Sequence, residues 1–272
     1  MEITSLVDNC AAEGFEAEHG LSLLIAMDCG KKFLFDTGQS GLFINNAHKA
    51  VVDISAVDAC FISHGHYDHG GGIGAFLKEN LKANVYIDSQ AFVSRYSLHD
   101  DGLHSIGIDK NSLNGRRLVL CDETVTLPCG ISFFSGVKGD CLMPSGNNRL
   151  KAADKVSQDA FPDERSLLIE ENGRVVLFAG CAHHGIVNII ERAVELTGRV
   201  PSYVFSGFHT ANSGLDMVGE SAYINALAQR LLTYKDCIFY TMHCTSYSVY
   251  LRLRDIMGER IGYLSCGEKI II

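Results

Sequence analysis

Residues 64–69 form the densest group of side chains in the sequence that could bind a metal ion. They lie between the apolar run 59–63 and the glycines at 70–72. An apolar run of this length, bounded by glycines, predicts a buried strand that ends at about residue 63. The group then falls at the carboxyl end of a strand, where open α/β sheets place their sites. Imidazole nitrogen with carboxylate oxygen suits zinc, and also iron or manganese. The candidate ligands are His64, His66, Asp68 and His69.

The segment 63–71, SHGHYDHGG, resembles the signature loop of the metallo-β-lactamase superfamily. The resemblance implies an α/β fold, a four-layer αβ/βα sandwich with two mixed sheets and the metal site at one edge, between two similar halves. It implies that His64 and His66 serve one ion, while Asp68 and His69 serve a second. We therefore expect two divalent metal ions, with zinc favoured over iron or manganese.

Length and composition favour one domain over residues 1–272. The chain is 47% hydrophobic and 20% charged, and no Pro/Gly/Ser-rich linker divides it. Its net charge of −9 argues against a non-specific nucleic-acid or anionic-membrane surface, which needs a basic field. The sequence shows no export signal and no apolar run that could span a membrane. We therefore expect a cytoplasmic protein with ten reduced cysteines, most of them buried. The oligomeric state stays open.

The first half alternates strand and helix patterns. The patterns predict strands at 3–7, 21–27, 33–35 and 85–87, the second and third forming a hairpin, and helices at 41–50 and 73–80.

Two residues of the first half are candidates for supporting roles. Asp36 lies in a DTG motif after the hairpin, and the family resemblance implies that it fixes the orientation of the metal loop. The alternative for Asp36 is an Asx-type turn after a strand. His19 could reach the mouth of the site, although a solvated turn histidine is the favoured interpretation.

The pattern weakens between residues 88 and 163. Strand-like pieces at 117–121 and 131–134 lie among polar, glycine-bearing segments such as 99–104. Long loops in a compact domain are usually functional, so we expect substrate selection here. Four basic residues could clamp an anionic group such as a phosphate, although solvated side chains are the default interpretation. They are Lys138, Arg149, Lys151 and Lys155.

The second half contains a hairpin and then three strand–loop–helix units. The apolar runs 166–170 and 174–179 are joined through Asn172-Gly173, a strong hairpin signal. Each following unit carries a histidine in its loop, at 180–185, 206–209 and 242–245. Strands that alternate with helices predict parallel pairing, which puts the three loops at the same end of the sheet.

The motifs GCAHHGIVNII, GFH and HCT, in this order after SHGHYDHGGG, narrow the resemblance. They resemble the group named for 7,8-dihydropterin-6-methyl-4-(β-D-ribofuranosyl)-aminobenzene-5′-phosphate synthase, over nearly the whole chain. His243 then matches the final ligand histidine of the superfamily. Many relatives carry a ligand histidine before the strand at 166, but residues 161–165 contain none, so we assign His183 as the missing nitrogen ligand.

Three further residues of these loops have open or secondary roles. Cys181 stands where many relatives have a bridging aspartate, and it is either a thiolate ligand or a buried small residue. His184 is assigned a structural role. His209 could be a ligand, a proton donor or a substrate contact, and we favour substrate binding.

The expected chemistry is hydrolysis. Two divalent ions can lower the pKa of a bridging water, orient a substrate and stabilise a developing oxyanion. Asp68, as a carboxylate on the second ion, can orient that water and is therefore the candidate catalytic residue. We predict a small substrate with an ester, lactone or phosphoester bond, and the name of the resembling group suggests one that bears a pterin or a phosphate. The alternatives are a di-iron redox protein and a metal-containing binding or sensing module with little turnover.

Overall fold

The computed structural model describes residues 1–109, 117–211, 214–215 and 217–272. Strands alternate with helices along most of this part of the chain. The strands are β1 (Glu2–Val7), β2 (Ser22–Ala26), β3 (Lys32–Phe35), β4 (Ala59–Phe61), β5 (Asn84–Asp88), β6 (Tyr96–His99), β7 (Gly102–Ser105), β8 (Leu118–Cys121), β9 (Val125–Leu127), β10 (Ile131–Phe134), β11 (Leu150–Lys151), β12 (Ser166–Glu171), β13 (Arg174–Phe178), β14 (Tyr203–Ser206), β15 (Ile238–Thr241), β16 (Ile261–Tyr263) and β17 (Lys269–Ile271). The helices are α1 (Leu42–Lys49), α2 (Tyr67–Gly70), α3 (Ile73–Glu79), α4 (Ile186–Thr197), α5 (Met217–Leu232) and α6 (Tyr247–Met257).

Two seven-stranded mixed sheets form the centre of the molecule. Their strand orders are β17-β1-β2-β3-β4-β5-β8 and β16-β15-β14-β13-β12-β10-β9. In the first sheet β3, β4, β5 and β8 pair in parallel, and in the second β13, β14, β15 and β16 do the same. The remaining neighbours pair antiparallel, including the predicted hairpins β2–β3 and β12–β13.

Alternating side chains build three hydrophobic clusters from these sheets. Phe61 points into the cluster between the two sheets, where its ring contacts Phe133 at 5.2 Å between centroids. Its neighbour Cys60 points the other way, into a cluster with residues of α1 and α3. Leu167 and Leu168 divide in the same manner in the second sheet, between the central cluster and the cluster under α4, α5 and α6. The layers are therefore helix, sheet, sheet and helix, which confirms the predicted αβ/βα sandwich.

Helix α4 shows how the sequence pattern produces the outer layer. Its apolar positions at 186, 189, 190 and 193 are all buried, as their helical spacing predicts. The helix ends at Gly198, which has a φ of 69° and so takes the left-handed conformation of a typical C-terminal glycine. No helix within the described ranges is long and apolar enough to cross a membrane.

The segment between β5 and β12 differs from its predicted loop character. Residues 96–105 form the hairpin β6–β7, which joins β11 in a small third sheet. These strands are mostly exposed, so they lack the apolar alternation by which a strand is recognised in sequence. The hairpin leads into a segment that pairs with the metal loop, where Tyr67 N donates to Ile106 O at 2.8 Å and Ile108 N to Gly65 O at 3.1 Å.

Candidate metal centre

The parallel strands bring all the predicted ligand loops to one edge of the sandwich. The loop with residues 64–69 follows β4, while Cys181 and His183 follow β13. His209 follows β14 and His243 follows β15, each on the next parallel strand of the second sheet. Ligands from both halves therefore meet because parallel neighbours end at the same edge of a sheet.

Asp36 holds the metal loop in place. It lies directly after β3 and accepts hydrogen bonds from Ser63 N at 2.7 Å, Ser63 Oγ at 2.8 Å and His69 Nδ1 at 2.7 Å. Its backbone has a φ of 60°, in the left-handed region that aspartate tolerates better than most residues. The contacts agree with the supporting role that the family resemblance implied.

The glycines of the loop allow its close packing. A Cβ atom on Gly65 would lie 2.0 Å from the carbonyl oxygen of Ala91, and one on Gly72 would lie 2.3 Å from that of Thr37. Neither contact is possible, so the backbone can pass at these two places only without a side chain. The short helix α2 follows at once and carries Asp68 and His69 side by side.

Three ring nitrogens meet in a first subsite made by His64, His66 and His183. His64 Nε2 lies 2.9 Å from His66 Nδ1 and 3.3 Å from His183 Nε2. All three side chains are buried. This arrangement places the assigned substitute His183 beside the two histidines of the loop.

The hydrogen-bond partners of His64 and His183 determine which ring nitrogen carries the hydrogen. Ser63 Oγ must give its hydrogen to the Asp36 carboxylate, so it accepts from His64 Nδ1 at 2.9 Å. Asn147 Nδ2 donates to the carbonyl of His183 at 2.7 Å, so Asn147 Oδ1 faces and accepts from His183 Nδ1 at 2.9 Å. Both rings are thereby left with a bare Nε2 lone pair directed into the same small space.

A second subsite lies beside the first and contains Asp68, His69, Cys181 and His243. Asp68 Oδ2 is 3.2 Å from His243 Nε2 and 3.8 Å from His69 Nε2. Cys181 Sγ is 3.1 Å from His69 Nε2. The predicted final ligand thus comes from the opposite end of the chain to the same place as the early loop.

Asn9 fixes the ring of His243 in the same way. Its Oδ1 accepts from Gly20 N at 3.2 Å, which sets the amide orientation, and then accepts from His243 Nδ1 at 2.8 Å. His69 Nδ1 donates to Asp36, so His69 and His243 both direct Nε2 toward the second subsite. His243 Nε2 is buried and has no hydrogen-bond partner among the described residues.

The donor set fits divalent metal ions at both subsites. The Nε2 atoms of His64 and His183 lie 3.3 Å apart, and their lone pairs repel each other unless a cation lies between them. A tetrahedral zinc ion with ordinary zinc–nitrogen distances separates its nitrogen ligands by about 3.3 Å. At the second subsite, Asp68 Oδ2 and the bare Nε2 of His243 face each other at 3.2 Å. Both atoms are hydrogen-bond acceptors, so a cation between them would satisfy both.

Burial keeps the first subsite neutral and ready to bind a cation. Desolvation and the neighbouring imidazoles lower the pKa of His64 and of His183 well below the usual value. Burial also lowers the pKa of His66, to about 3. Since a metal binds the neutral form of imidazole, these three ligands need not lose a proton at neutral pH.

The second subsite carries opposite charges. Although burial works against it, the charge of His69 and the hydrogen bond from His19 hold the pKa of Asp68 well below its ordinary value. Although burial lowers it, the carboxylates of Asp36 and Asp68 raise the pKa of His69 to about 9. Without a metal ion His69 is therefore protonated at neutral pH, and its second proton lies on Nε2.

We expect metal binding at the second subsite to release this proton from His69. Below pH 9 the metal competes with the proton, so affinity should rise with pH by up to about tenfold per unit until about pH 9. Calorimetric titration with Zn²⁺ in buffers of different ionisation enthalpy would count the protons released. An affinity that stays constant between pH 7 and pH 9 would contradict this assignment.

His209 and His184 take different positions around the ligands. His209 is half-buried, its ring centroid is 4.3 Å from that of His183, and its Nδ1 has no hydrogen-bond partner in the described chain. The residue lines the cavity, which is compatible with the substrate contact that we favoured. His184 instead donates through Nδ1 to Glu164 at 2.7 Å, consistent with a structural role.

His19 lies closer to the site than a solvated turn residue would. Its Nε2 is 3.1 Å from Asp68 Oδ2, although 52% of the side chain is exposed. Asn9 Nδ2 donates to His19 Nδ1 at 3.3 Å, so Nε2 carries the hydrogen and donates to the carboxylate. His19 is thus an exposed turn residue, as the favoured interpretation has it, and also contacts the site at its mouth.

A cavity of about 320 Å³ opens beside both subsites. Residues of the metal loop, of the β6–β7 hairpin and of the three histidine loops line it. Arg149 is the one lysine or arginine among its described lining residues, while Lys155 lies 4.8 Å over the ring of Tyr96. Of the four basic residues considered as an anion clamp, Arg149 alone is thus placed to contact a substrate.

Sequence reasoning missed three residues of the site. Asn9 and Asn147 orient ligand rings, but each is 36 or more residues distant from its histidine and belongs to no recognisable motif. Cys244 is buried and lines the cavity. Its place directly after His243 was the available signal, because adjacent histidine and cysteine are both metal-ligand types.

Comparisons with known proteins extend over both groups of candidate ligands. A family model described as the metallo-beta-lactamase superfamily matches residues 16–195. An uncharacterized protein of Methanocaldococcus jannaschii is 27% identical over 271 residues, covering 96% of this chain and 97% of that protein. Another protein of this organism, named 7,8-dihydropterin-6-methyl-4-(beta-D-ribofuranosyl)-aminobenzene-5′-phosphate synthase, is 25% identical over 273 residues, covering 94% of this chain and 90% of its own. A solved structure described as a metal-dependent hydrolase of the beta-lactamase superfamily aligns with 100% of this chain and 99% of its own, at a TM-score of 0.82 and 25% identity.

Proposed function

The chain belongs to the metallo-β-lactamase superfamily, and from this premise we propose that it is a metal-dependent hydrolase. The proposed substrate is a small molecule with an ester, lactone or phosphoester bond. We further propose that residues 1–272 form one domain, because ligands from both halves converge on one cavity. The proposed ligands are His64, His66 and His183 for one ion, and Asp68, His69, Cys181 and His243 for the other.

One observation carries the proposal. The hydrogen-bond partners of His64, His183 and His243 hold these three rings with a bare Nε2 directed into the site. Such an arrangement destabilises the protein unless a cation satisfies the lone pairs, so a purely structural role does not explain it. The cation expected from this donor set is zinc, or else iron or manganese.

The metal ions, Asp68 and His209 have separate roles in the proposed hydrolysis. Two divalent ions, when bound, would supply Lewis acidity and a water of lowered pKa. Asp68 stays ionised, and its carboxylate can accept a hydrogen bond from the attacking water and orient it. His209 lines the cavity, where its ring can contact the substrate.

Two observations favour a phosphate-bearing substrate. Arg149 lines the cavity and can pair with a phosphate, which guanidinium binds through two parallel hydrogen bonds. The relative from Methanocaldococcus jannaschii carries a 5′-phosphate in its name, and its similarity over nearly the whole chain confirms the resemblance to the group named for that synthase.

The proposal is tested by metal analysis followed by a substrate panel. Anaerobically purified protein should contain up to two divalent ions per chain and hydrolyse at least one of bis(p-nitrophenyl) phosphate, p-nitrophenyl phosphate, p-nitrophenyl acetate and a simple lactone. His64→Ala should lose both metal and hydrolysis. Equal rates for the wild type and His64→Ala would overturn the proposal. Oxygen consumption by an iron-loaded protein would instead favour a redox function, and tight ligand binding that survives metal removal would favour sensing.

A further inference from the structure

Two buried thiols lie side by side at the second subsite. The Sγ atoms of Cys181 and Cys244 and a ring nitrogen of His243 all lie within 4.8 Å of one another. Both cysteines also line the cavity. Cys181 already stands among the proposed ligands, but Cys244 has so far been given no role.

The surroundings of Cys244 differ from those of a cysteine that merely fills space. Cys60, Cys121 and Cys237 are buried within the three hydrophobic clusters, as expected of small apolar residues. Cys244 Sγ instead accepts a hydrogen bond from His209 N at 3.2 Å, while its thiol donates to Cys181 O at 3.8 Å. A backbone N–H directed at sulfur stabilises a thiolate, because a hydrogen bond to an ionised acceptor is about twice as strong as a neutral one.

The backbone around Cys244 is shaped to hold the thiol in this position. A Cβ atom on Gly207 would lie 2.4 Å from Cys244 Sγ, so the neighbouring strand end passes it only because residue 207 is glycine. His243, immediately before it, takes a φ of 49°, which turns both ligand-type side chains toward the site. The Cys244 carbonyl accepts from Ala211 N at 2.9 Å, which ties the loop after β14 to the loop after β15.

We propose that Cys244 is an additional metal-binding residue, which together with Cys181 and His243 gives the second subsite a sulfur face. On binding, the thiol loses its proton to solvent and the thiolate forms the bond to the ion. Sulfur ligands select thiophilic ions, so the subsite should prefer Zn²⁺, Cd²⁺ and Co²⁺ to Mn²⁺ and Mg²⁺. The inference rests on the proposed function insofar as that function requires a metal centre.

The test compares Cys244→Ser with the wild type, with Cys181→Ser, and with Cys237→Ser as a buried cysteine outside the site. X-ray absorption of the zinc protein should show sulfur at about 2.3 Å besides nitrogen and oxygen at about 2.0–2.1 Å. The sulfur contribution should fall in Cys244→Ser and in Cys181→Ser, disappear in the double variant, and stay unchanged in Cys237→Ser. The sulfur-to-cobalt absorption band of the Co²⁺ proteins should follow the same order.

Affinity gives a second readout. Zn²⁺ affinity at the second subsite should fall at least about tenfold in Cys244→Ser, since even loss of a residue that only orients a ligand costs 10- to 100-fold. The Mn²⁺ affinity should change little. Equal losses for both ions would show a general structural defect and overturn the inference.

A third test uses only the wild-type protein, so its result does not depend on whether the variants fold. Iodoacetamide, followed by mass spectrometry, should modify Cys244 in metal-free protein and much less in zinc-loaded protein. Equal modification in the two forms, or unchanged sulfur scattering in Cys244→Ser, would show that Cys244 is not a ligand, while the proposed hydrolase function would stand. Absence of bound metal in the wild type would overturn both.

Discussion

Replacing His183 by alanine is expected to remove one metal ion and to lower hydrolysis by about 10³-fold, or about 4 kcal/mol. His183 Nε2 is directed at His64 Nε2 at 3.3 Å, and its ring is locked by Asn147. Without it the first subsite retains only the two histidines of the metal loop. Elemental analysis should find one ion per chain instead of two, and steady-state kinetics should show the loss chiefly in kcat.

The neighbouring His184 provides the matched control. It belongs to the same loop, but its Nδ1 donates to Glu164 and its side chain is 25% exposed. His184→Ala should retain both ions, with at most a moderate loss of stability. Two ions and normal turnover in His183→Ala, or loss of metal in His184→Ala, would show that the assignment of His183 is wrong.

The segment 161–165 packs against both candidate ligand loops, although it lacks the histidine that many relatives carry there. Phe161 stacks flat on His183, with ring centroids 4.1 Å apart and an interplanar angle of 1°. Asp163 accepts from Gly65 N at 2.7 Å, and Glu164 accepts from His183 N at 2.6 Å. Arg165 N donates to Ser63 O at 2.7 Å. The segment therefore supports residues from both ligand loops although it supplies no ligand itself.

Arg95, in the segment before β6, forms an ion pair with the buried carboxylate of Asp163. Arg95 Nη2 lies 2.6 Å from Asp163, and Arg95 Nε lies 2.7 Å from Asp159. Burial raises the pKa of Asp163 to about 6, although the charge of Arg95 and the hydrogen bond from Gly65 N work against it. This network joins the segment before β6 to the metal loop, because Asp163 also accepts from Gly65 N.

The family resemblance of residues 63–71 implied the sandwich, whereas the strand and helix patterns themselves predicted that the ligand loops lie at one end of the sheet. Each ligand loop follows a strongly apolar strand, and the parallel pairing of such strands brings their ends together. The helical spacing of α4 and the Asn-Gly turn before β13 likewise depend on local pattern alone. These features were predictable because the physical cause lies within a few residues of its effect.

Other parts of the site depend on contacts between distant residues. Asn9 reaches His243 across 234 positions of sequence, and neither its type nor its spacing marks it as a partner of a ligand. The β6–β7 hairpin gave no signal because its strands are mostly exposed and polar. The contact between His19 and Asp68 also depends on distant residues, because only the folded chain shows that the turn at His19 lies over Asp68.

Replacing Asp36 by asparagine should weaken metal binding at the second subsite roughly 10- to 100-fold. Asparagine tolerates the left-handed backbone at position 36, where φ is 60°, so the turn should survive. Its Oδ1 can still accept from Ser63 N, but its Nδ2 would then face Ser63 Oγ and His69 Nδ1, which both donate to the carboxylate of the wild type. Two donors cannot face each other, so His69 must move its hydrogen to Nε2. The nitrogen that faces the site would then have no lone pair for a metal ion.

The tautomer itself distinguishes this explanation from a loss of stability. Nitrogen-15 NMR of the metal-free protein at a pH above 9 should show hydrogen on His69 Nδ1 in the wild type and on Nε2 in Asp36→Asn. Asp53→Asn is a suitable control, because Asp53 caps an exposed turn and accepts from Ser55 N at 2.9 Å, remote from the ligands. Asp36→Ala, by contrast, should cost about 3–5 kcal/mol of unfolding free energy, since it leaves buried donors without an acceptor. Asp36→Asn could instead lose metal while His69 keeps its hydrogen on Nδ1. This result would contradict the explanation by tautomer and would show that Asp36 only orients the ring of His69.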